Sequence, residues 1–89
     1  LLQRRQQTHA EGEHAGHGPS RLLLGKLLFQ ASEYGAAEAE ARVAVRLMPD
    51  DPEAHALLAD ALSRQGGLNR SMEAESELRK AIRLQDAGR

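Results

Sequence analysis

The sequence predicts an all-α domain, on the strength of its composition and of the spacing of its apolar residues. The 89 residues are 40% hydrophobic, mainly through alanine and leucine, while aromatic residues make up 2%. Strands favour β-branched and aromatic residues, and here valine occurs only as Val43 and Val45 and isoleucine only as Ile82. From Ser20 onward, apolar residues recur at helical spacing between proline and glycine breaks. We therefore expect one small domain of about four helices, antiparallel because their connections are short.

Residues 1–17 differ from the rest of the chain because they are polar and have no apolar period. We expect this segment to be flexible or loosely docked, with residues 12–18 as a glycine-containing linker. Its histidines His9, His14 and His17 match no strong metal-ligand spacing, and we expect them to be solvated. Because the chain begins at Leu1 without Met, we also expect a fragment or a processed product.

Each predicted helix has an apolar face that we expect to point inward. In the first helix, which should end near residues 31–33 before a turn at Tyr34-Gly35, this face is Leu23, Leu24, Leu27 and Leu28. In the second helix it is Ala37, Ala41, Ala44, Val45 and Met48. In the third, from Pro52 to about Gln65, it is Ala54, Leu57, Leu58, Ala61 and Leu62. In the fourth, from about Ser71, it is Ala74, Leu78, Ala81, Ile82 and Leu84.

The turn between the second and third helices carries the strongest local signals. Pro49 cannot continue a helix and disfavours helical geometry at the residue before it. Asp51 can cap the next helix, Pro52 suits its first position, and Glu53 adds a negative charge at the positive end of the helix dipole. The third helix should stop at Gly66-Gly67, since glycine supplies left-handed backbone geometry.

The chain also repeats internally. A shift of 34 residues places Arg21 on His55, Leu24-Gly25 on Leu58-Ala59 and Leu28 on Leu62. A shift of 37 places Ala37 on Ala74, Ala41 on Leu78, Ala44-Val45 on Ala81-Ile82 and Leu47 on Leu84. A period of this length in helix–turn–helix units is typical of a helical solenoid.

These residues resemble the tetratricopeptide repeat (TPR), whose pattern is W-x2-L-G-x2-Y, A-x3-F, a further alanine and a closing proline. The first unit, residues 18–51, has Leu24, Gly25, Leu28, Ala37, Ala41, Ala44 and Pro49 at the pattern positions, with Arg21 in place of the tryptophan, Leu28 in place of the tyrosine and Ala41 in place of the phenylalanine. The second unit, residues 52–88, has Leu58, Ala59, Leu62, Ala74, Leu78 and Ala81 at the equivalent positions, with His55 in place of the tryptophan. The resemblance implies two helical hairpins stacked as a short right-handed solenoid.

The second unit departs from the family pattern. It has three extra residues between Gly66 and Ala74, which we expect to lengthen the loop or to extend the helix at its edges. Leu68 or Met72 could then replace the aromatic residue at the turn. No polar helix follows Leu84 to cover the last repeat, so we expect either a longer parent protein or self-association through the open ends, involving Leu78 and Ile82.

The resemblance further implies a peptide-binding groove lined by the first helix of each unit. Carried over position by position, the groove residues are Leu22, Lys26, Phe29, Gln30 and Glu33 from the first unit and Glu53, Ala56, Asp60, Ser63 and Arg64 from the second. Leu22 and Phe29 would anchor an apolar side chain, while Lys26 and Arg64 would meet acidic groups. The alternative is that Leu22 and Phe29 pack against another segment and that the charges form an ordinary solvated face. The carboxylate clamp of chaperone-binding TPR proteins is not expected, because Leu22 stands where the clamp needs lysine.

No catalytic or metal site is expected. The chain has no cysteine, and no serine is placed to form a dyad with His55, which we expect to be a packed imidazole with one hydrogen bond. Glu73, Glu75 and Glu77 should form a solvated face, with Glu38–Arg42 and Glu75–Arg79 as surface ion pairs. With a net charge of −1, no basic stripe and no long apolar run, neither nucleic-acid binding nor membrane insertion is expected.

The sequence therefore predicts a non-enzymatic module, without a cofactor, that binds a peptide or a partner subunit. The alternative is a scaffold that self-associates through its repeat ends. A third possibility, based on the lengthened second unit, is similarity to bacterial TPR proteins that capture apocytochrome during cytochrome c maturation. The sequence does not identify the compartment.

Overall fold

In a computed structural model, residues 17–88 are described, and every regular element among them is an α-helix. The described part of α1 covers residues 17–30, followed by α2 (Tyr34–Leu47), α3 (Pro52–Gln65) and α4 (Leu68–Ala87). The all-α prediction is confirmed. The expectations for His9, His14 and most of the linker lie outside the described residues, while residues 17 and 18 are helical rather than linker.

The turn signals place most helix ends correctly. α2 ends at Leu47, and the Asp51 carboxylate accepts a hydrogen bond of 2.8 Å from the backbone N–H of Glu53 at the start of α3. α3 ends before Gly66 and Gly67, whose φ angles of 80° and 91° lie in the left-handed region that favours glycine. These ends follow from proline, aspartate and glycine alone.

The turn after α1 lies earlier than predicted. Ser32 has a φ of 65°, and the N–H of Glu33 donates to the carbonyl of Leu28 at 2.8 Å while that of Ser32 donates to Phe29 at 3.0 Å. This pair of bonds closes a helix whose last turn reverses through one left-handed residue. Tyr34 therefore begins α2 instead of forming the turn, because a serine carries the left-handed position for which the sequence would have favoured glycine.

The inward face of α1 is not the predicted one. Leu23, Leu24 and Leu27 are 59%, 41% and 53% exposed, whereas Leu22 is 7% exposed and joins the core. Leu22 shares its side of the helix with Gly18 and Gly25, both buried. A Cβ on Gly25 would lie 2.7 Å from a Leu57 methyl carbon, so α1 approaches its neighbours more closely than any side chain there would allow. The glycines, and not the leucine run, set the contact face.

On the other three helices, the residues predicted to point inward are buried or half-buried in α2, buried in α3 and only partly so in α4. Fully buried positions are the small residues of α2 and α3 together with one leucine: Ala37, Ala41, Ala44, Ala54, Ala61 and Leu62. On α4, Ala74 and Ala81 are buried, but Leu78 and Ile82 are 48% and 50% exposed. Leu68 and Met72 are also exposed, so neither replaces an aromatic residue at the turn.

Side-chain contacts define the topology. Arg21 to Glu40, Gln65 to Glu38 and His55 to Glu77 join successive helices that run antiparallel. Lys26 to Glu53 joins α1 to α3, and Arg42 to Glu73 joins α2 to α4. The four helices therefore form two layers, with α1 beside α3 in one layer and α2 beside α4 in the other.

Two contacts recur at the spacing of the internal repeat. The Arg21–Glu40 ion pair of 2.9 Å joins α1 to α2, and the His55–Glu77 contact of 2.6 Å joins α3 to α4. Shifts of 34 and 37 residues carry the first pair onto the second. The predicted surface pairs Glu38–Arg42 and Glu75–Arg79 are both present and are also related by 37 residues. The two hairpins thus share interactions as well as sequence.

The three extra residues of the second hairpin extend α4 at its N-terminal end. α4 has 20 residues where α2 has 14, and only Gly66 and Gly67 separate α3 from α4. The alternative of a longer helix is therefore correct, and that of a longer loop is wrong. Across residues 17–88, no helix combines the length and hydrophobicity needed to cross a membrane.

Arg42 connects α2 to α4 through two carboxylates. Its guanidinium donates to Glu73 at 2.7 and 3.0 Å and to Glu38 at 2.9 Å. The hydrogen bonds from Arg42 hold the pKa of Glu73 below its ordinary value of 4.5, against a smaller opposing effect of burial. Burial would raise the pKa of Glu38, but hydrogen bonds from Gln65 and Arg42 outweigh it and lower that pKa as well.

We expect Arg42 to contribute to the acid sensitivity of the fold. A carboxyl whose pKa is lowered by folding stabilises the native state above its unfolded pKa, and this contribution disappears as the pH falls through the folded pKa. Arg42→Gln should therefore cost less than about 1 kcal/mol at pH 7, because the groups are partly exposed, and the cost should decrease as the pH falls below 4.5 and through the lowered pKa values. Urea unfolding at pH 7, 5 and 3 measures this, with Arg46→Gln as the control. An equal cost of Arg42→Gln at all three pH values would contradict it.

Candidate functional site

An open groove of about 260 Å³ lies between α1 and α3. Its lining consists of Lys26, Phe29, Gln30, Glu53, Ala56, Leu57 and Asp60. Six of these seven are positions that the TPR resemblance assigns to a peptide groove, and the seventh, Leu57, belongs to the core. The groove exists because α1 and α3 lie side by side in one layer, with the close contact at Gly25 beneath them. We call it the α1/α3 groove.

The other predicted groove residues lie elsewhere. Leu22 is buried in the core and cannot anchor a ligand, which corrects its assignment. Glu33 is exposed at the turn after α1. Ser63 lines a separate depression of about 220 Å³ between α3 and α4, which we call the α3/α4 depression. Arg64 lies above aromatic rings at the end of the groove.

An aromatic cluster closes that end of the groove. The rings of Phe29 and Tyr34 meet edge to face with their centroids 5.2 Å apart. The Arg64 guanidinium lies 5.5 Å from the centroid of Phe29 and 5.7 Å from that of Tyr34. Such stacking engages the cation and covers part of the Phe29 ring. Phe29 also packs against the core, so its remaining surface forms a rigid wall of the groove.

The charges at the groove are unequal. Lys26 forms an ion pair with Glu53 across the groove, which joins α1 to α3. Within residues 17–88, no hydrogen bond or ion pair engages the Asp60 carboxylate, which is exposed. The lining thus has one lysine against two carboxylates. Lys26 and Arg64, predicted to meet acidic ligand groups, both make contacts within the chain, Lys26 with Glu53 and Arg64 with the rings of Phe29 and Tyr34.

The buried polar side chains among the described residues are His55 and Glu77, 5% and 7% exposed. His55 Nδ1 lies 2.6 Å from Glu77 Oε1, and its Nε2 lies 2.7 Å from the Pro49 carbonyl oxygen. Since a carbonyl only accepts, Nε2 donates to it, and one proton lies between Nδ1 and the carboxyl group. Lys80 donates to the second oxygen of Glu77 at 3.2 Å.

The sequence predicts the burial of His55 but not that of its partner Glu77. The packed imidazole is confirmed, but it makes two hydrogen bonds instead of one, and Glu77 is buried instead of solvated. Both ring nitrogens are engaged, so His55 has no nitrogen left to activate a nucleophile. In the part of the chain that the structure describes, no group of three histidine, cysteine or acidic side chains is arranged to hold a metal ion.

We expect His55 and Glu77 to act as a unit in stability. His55→Leu leaves the Pro49 carbonyl without its donor and Glu77 with only Lys80, and should cost about 3 kcal/mol. The double variant His55→Leu/Glu77→Leu should lose clearly less than the two single losses combined, because it leaves no buried charge behind. Urea unfolding at pH 7 measures all three variants, and Glu75→Leu, an exposed carboxylate on the same helix, is the matched control. Strictly additive losses would contradict the coupling.

Comparisons of the chain with protein-family models, with curated proteins and with solved structures find no match. The interpretation of the α1/α3 groove therefore depends on the residues and contacts of this chain. Two features carry it: the groove is lined by the positions that the repeat pattern singles out, and the two hairpins repeat their connecting contacts in register.

Proposed function

We propose that this chain is a non-catalytic interaction module of the TPR type, which binds a peptide segment in the α1/α3 groove. The observation that carries the proposal is the lining of that groove. Residues that the repeat pattern alone assigns to ligand binding line a single open groove on one layer of the fold.

The groove suits an extended segment better than a small compact ligand. It is open along one side, and its apolar surface comes from Phe29, Ala56 and Leu57. Gln30 offers an amide that can donate to and accept from a peptide backbone. Burial of one apolar side chain against these surfaces would supply most of the affinity, and the charges at the rim would set orientation.

The repeat assignment is supported by packing as well as by sequence. Gly25 and Ala59 occupy equivalent places in the two hairpins, as do Ala37 and Ala74, and all four are buried. These small residues allow the two helices of each hairpin to approach closely, as the TPR pattern requires. The suggested similarity to cytochrome c maturation proteins depended on the three extra residues of the second unit. These residues lengthen α4 and do not line the α1/α3 groove that carries the proposal, so we do not propose it.

Self-association is a second candidate, and a different observation favours it. The exposed large hydrophobic residues among the described residues all lie on the first and last helices: Leu23, Leu24 and Leu27 on α1, and Leu68, Met72, Leu78 and Ile82 on α4. Clusters of exposed apolar residues commonly mark contact surfaces. Packing of α1 from one copy on α4 of the next would extend the repeat and cover both surfaces.

We expect the groove to bind peptides and to lose this activity when it is filled. Phage-displayed random nonapeptides panned on the chain should yield binders whose affinity falls at least tenfold with Ala56→Phe, because the new ring occupies the groove floor. Ala36→Phe, at an exposed alanine of α2 outside the groove, is the matched control, and circular dichroism verifies that both variants fold. If no peptide is enriched, or if Ala56→Phe and Ala36→Phe bind equally well, the groove is not the binding site.

Self-association through the two end helices makes a distinct prediction. The mass measured by sedimentation should rise with concentration, and Leu27→Lys or Ile82→Lys alone should prevent growth beyond the monomer. Mixing the two variants should restore a one-to-one complex, because one retains an intact α4 surface and the other an intact α1 surface. A monomer at all concentrations would contradict this candidate, and dimers of Leu27→Lys alone would indicate pairing of α4 with α4.

A further inference from the structure

Asp60 of α3 lies at the boundary between two concavities, one shared with α1 and the other with α4. It lines both the α1/α3 groove and the α3/α4 depression, so it stands between the two concavities. Its carboxylate is exposed and has no hydrogen-bond or ion-pair partner among the residues that the structure describes. A ligand that follows both concavities must therefore pass over this charge.

The neighbouring charges are compensated within the chain. Glu53 is paired with Lys26, and Glu75, which lines the α3/α4 depression, is paired with Arg79 at 2.7 Å. Arg64, one helical turn beyond Asp60, is stacked on the rings of Phe29 and Tyr34. The linings of the two concavities together contain three carboxylates and one lysine, and Asp60 is the carboxylate of this set without a cation.

Covering Asp60 with a ligand would remove water from its carboxylate. Such desolvation is costly unless the ligand supplies a positive charge or several donors in return. A ligand with an acidic group at this place would add repulsion to the cost. The electrostatics of the concavities therefore discriminate between ligands by the sign of one charge.

We propose that the partner is a peptide segment that presents a lysine or arginine to Asp60, next to an apolar side chain seated against Phe29, Ala56 and Leu57. This rests on the proposed peptide-binding function and specifies its ligand. The apolar side chain supplies contact area, and the basic side chain fixes the direction in which the segment lies. Ser63, beside Asp60 in the depression, offers a hydroxyl to the ligand backbone beyond the basic residue.

The test uses the nonapeptides enriched by panning on the unaltered chain. Lysine or arginine should be enriched at one position next to an apolar residue. For a synthetic peptide of that sequence, Asp60→Asn should raise the Kd about fivefold, as should replacement of the basic residue by norleucine. The two changes together should raise the Kd little more than either alone. Asp50→Asn, the same substitution at an exposed aspartate outside both concavities, should leave the Kd unchanged.

The outcomes separate this inference from the function on which it rests. Peptides that bind the groove, shown by their loss with Ala56→Phe, but carry no basic residue would overturn the inference and leave the proposed function standing. Enrichment of acidic residues that depends on Lys26 would overturn it as well. Equal affinities of Asp60→Asn and Asp50→Asn would do the same. Failure to enrich any groove-binding peptide would overturn both.

Discussion

The close approach of α1 to its neighbours is the constraint on which the rest of the structure depends. At Gly18 and Gly25 the helix has no side chain, and an added Cβ would lie 2.4 Å from Met48 and 2.7 Å from Leu57. This contact turns Leu22 inward and leaves Leu23, Leu24 and Leu27 outward. It also places Lys26 and Phe29 on the edge that faces α3, which creates the groove. One packing requirement thus determines both the layer that carries the α1/α3 groove and the apolar surface that α1 exposes.

Alanine-rich packing of this kind buries little apolar area for each residue. Hydrogen bonds and ion pairs between helices therefore contribute more to fixing the positions of the helices. Arg42 connects α2 to α4, and the His55–Glu77 pair connects α3 to α4 and to the Pro49 turn. A buried ionisable pair is costly to desolvate and adds less stability than hydrophobic packing of similar size. What it provides is register, since only one alignment of α3 against α4 satisfies all of its bonds. The same register brings Ala74 of α4 alongside Asp60 and Ser63 of α3 in the α3/α4 depression.

The sequence determines some of these features more clearly than others. The helix class, the end of α2, the cap of α3 and the stop at Gly66-Gly67 follow from local signals, and the groove positions Phe29, Ala56 and Asp60 follow from the repeat. The orientation of α1 does not, because three consecutive leucines satisfy any helical face and only the tertiary contact at Gly25 decides between them. The burial of Glu77 could not be recognised from its own helix, where it resembles the exposed Glu75. The repeat could have indicated the partner of His55, because the shifts of 34 and 37 residues carry Arg21 onto His55 and Glu40 onto Glu77.

The two candidate activities use different surfaces of the same helix. Lys26 and Phe29 of α1 belong to the groove, whereas Leu23, Leu24 and Leu27 are exposed at the end of the stack. The two activities share Leu78, which lines the α3/α4 depression and is also exposed on α4, whereas the α1/α3 groove and the exposed leucines of α1 are separate, and a stacked array would present its α1/α3 grooves in a row. In such an array each groove keeps its own Asp60, so a segment with regularly spaced basic residues would bind several copies at once and gain avidity from their fixed spacing. Self-association would then add to peptide binding, because several Asp60 side chains in one array would bind one segment more tightly than a single Asp60 does.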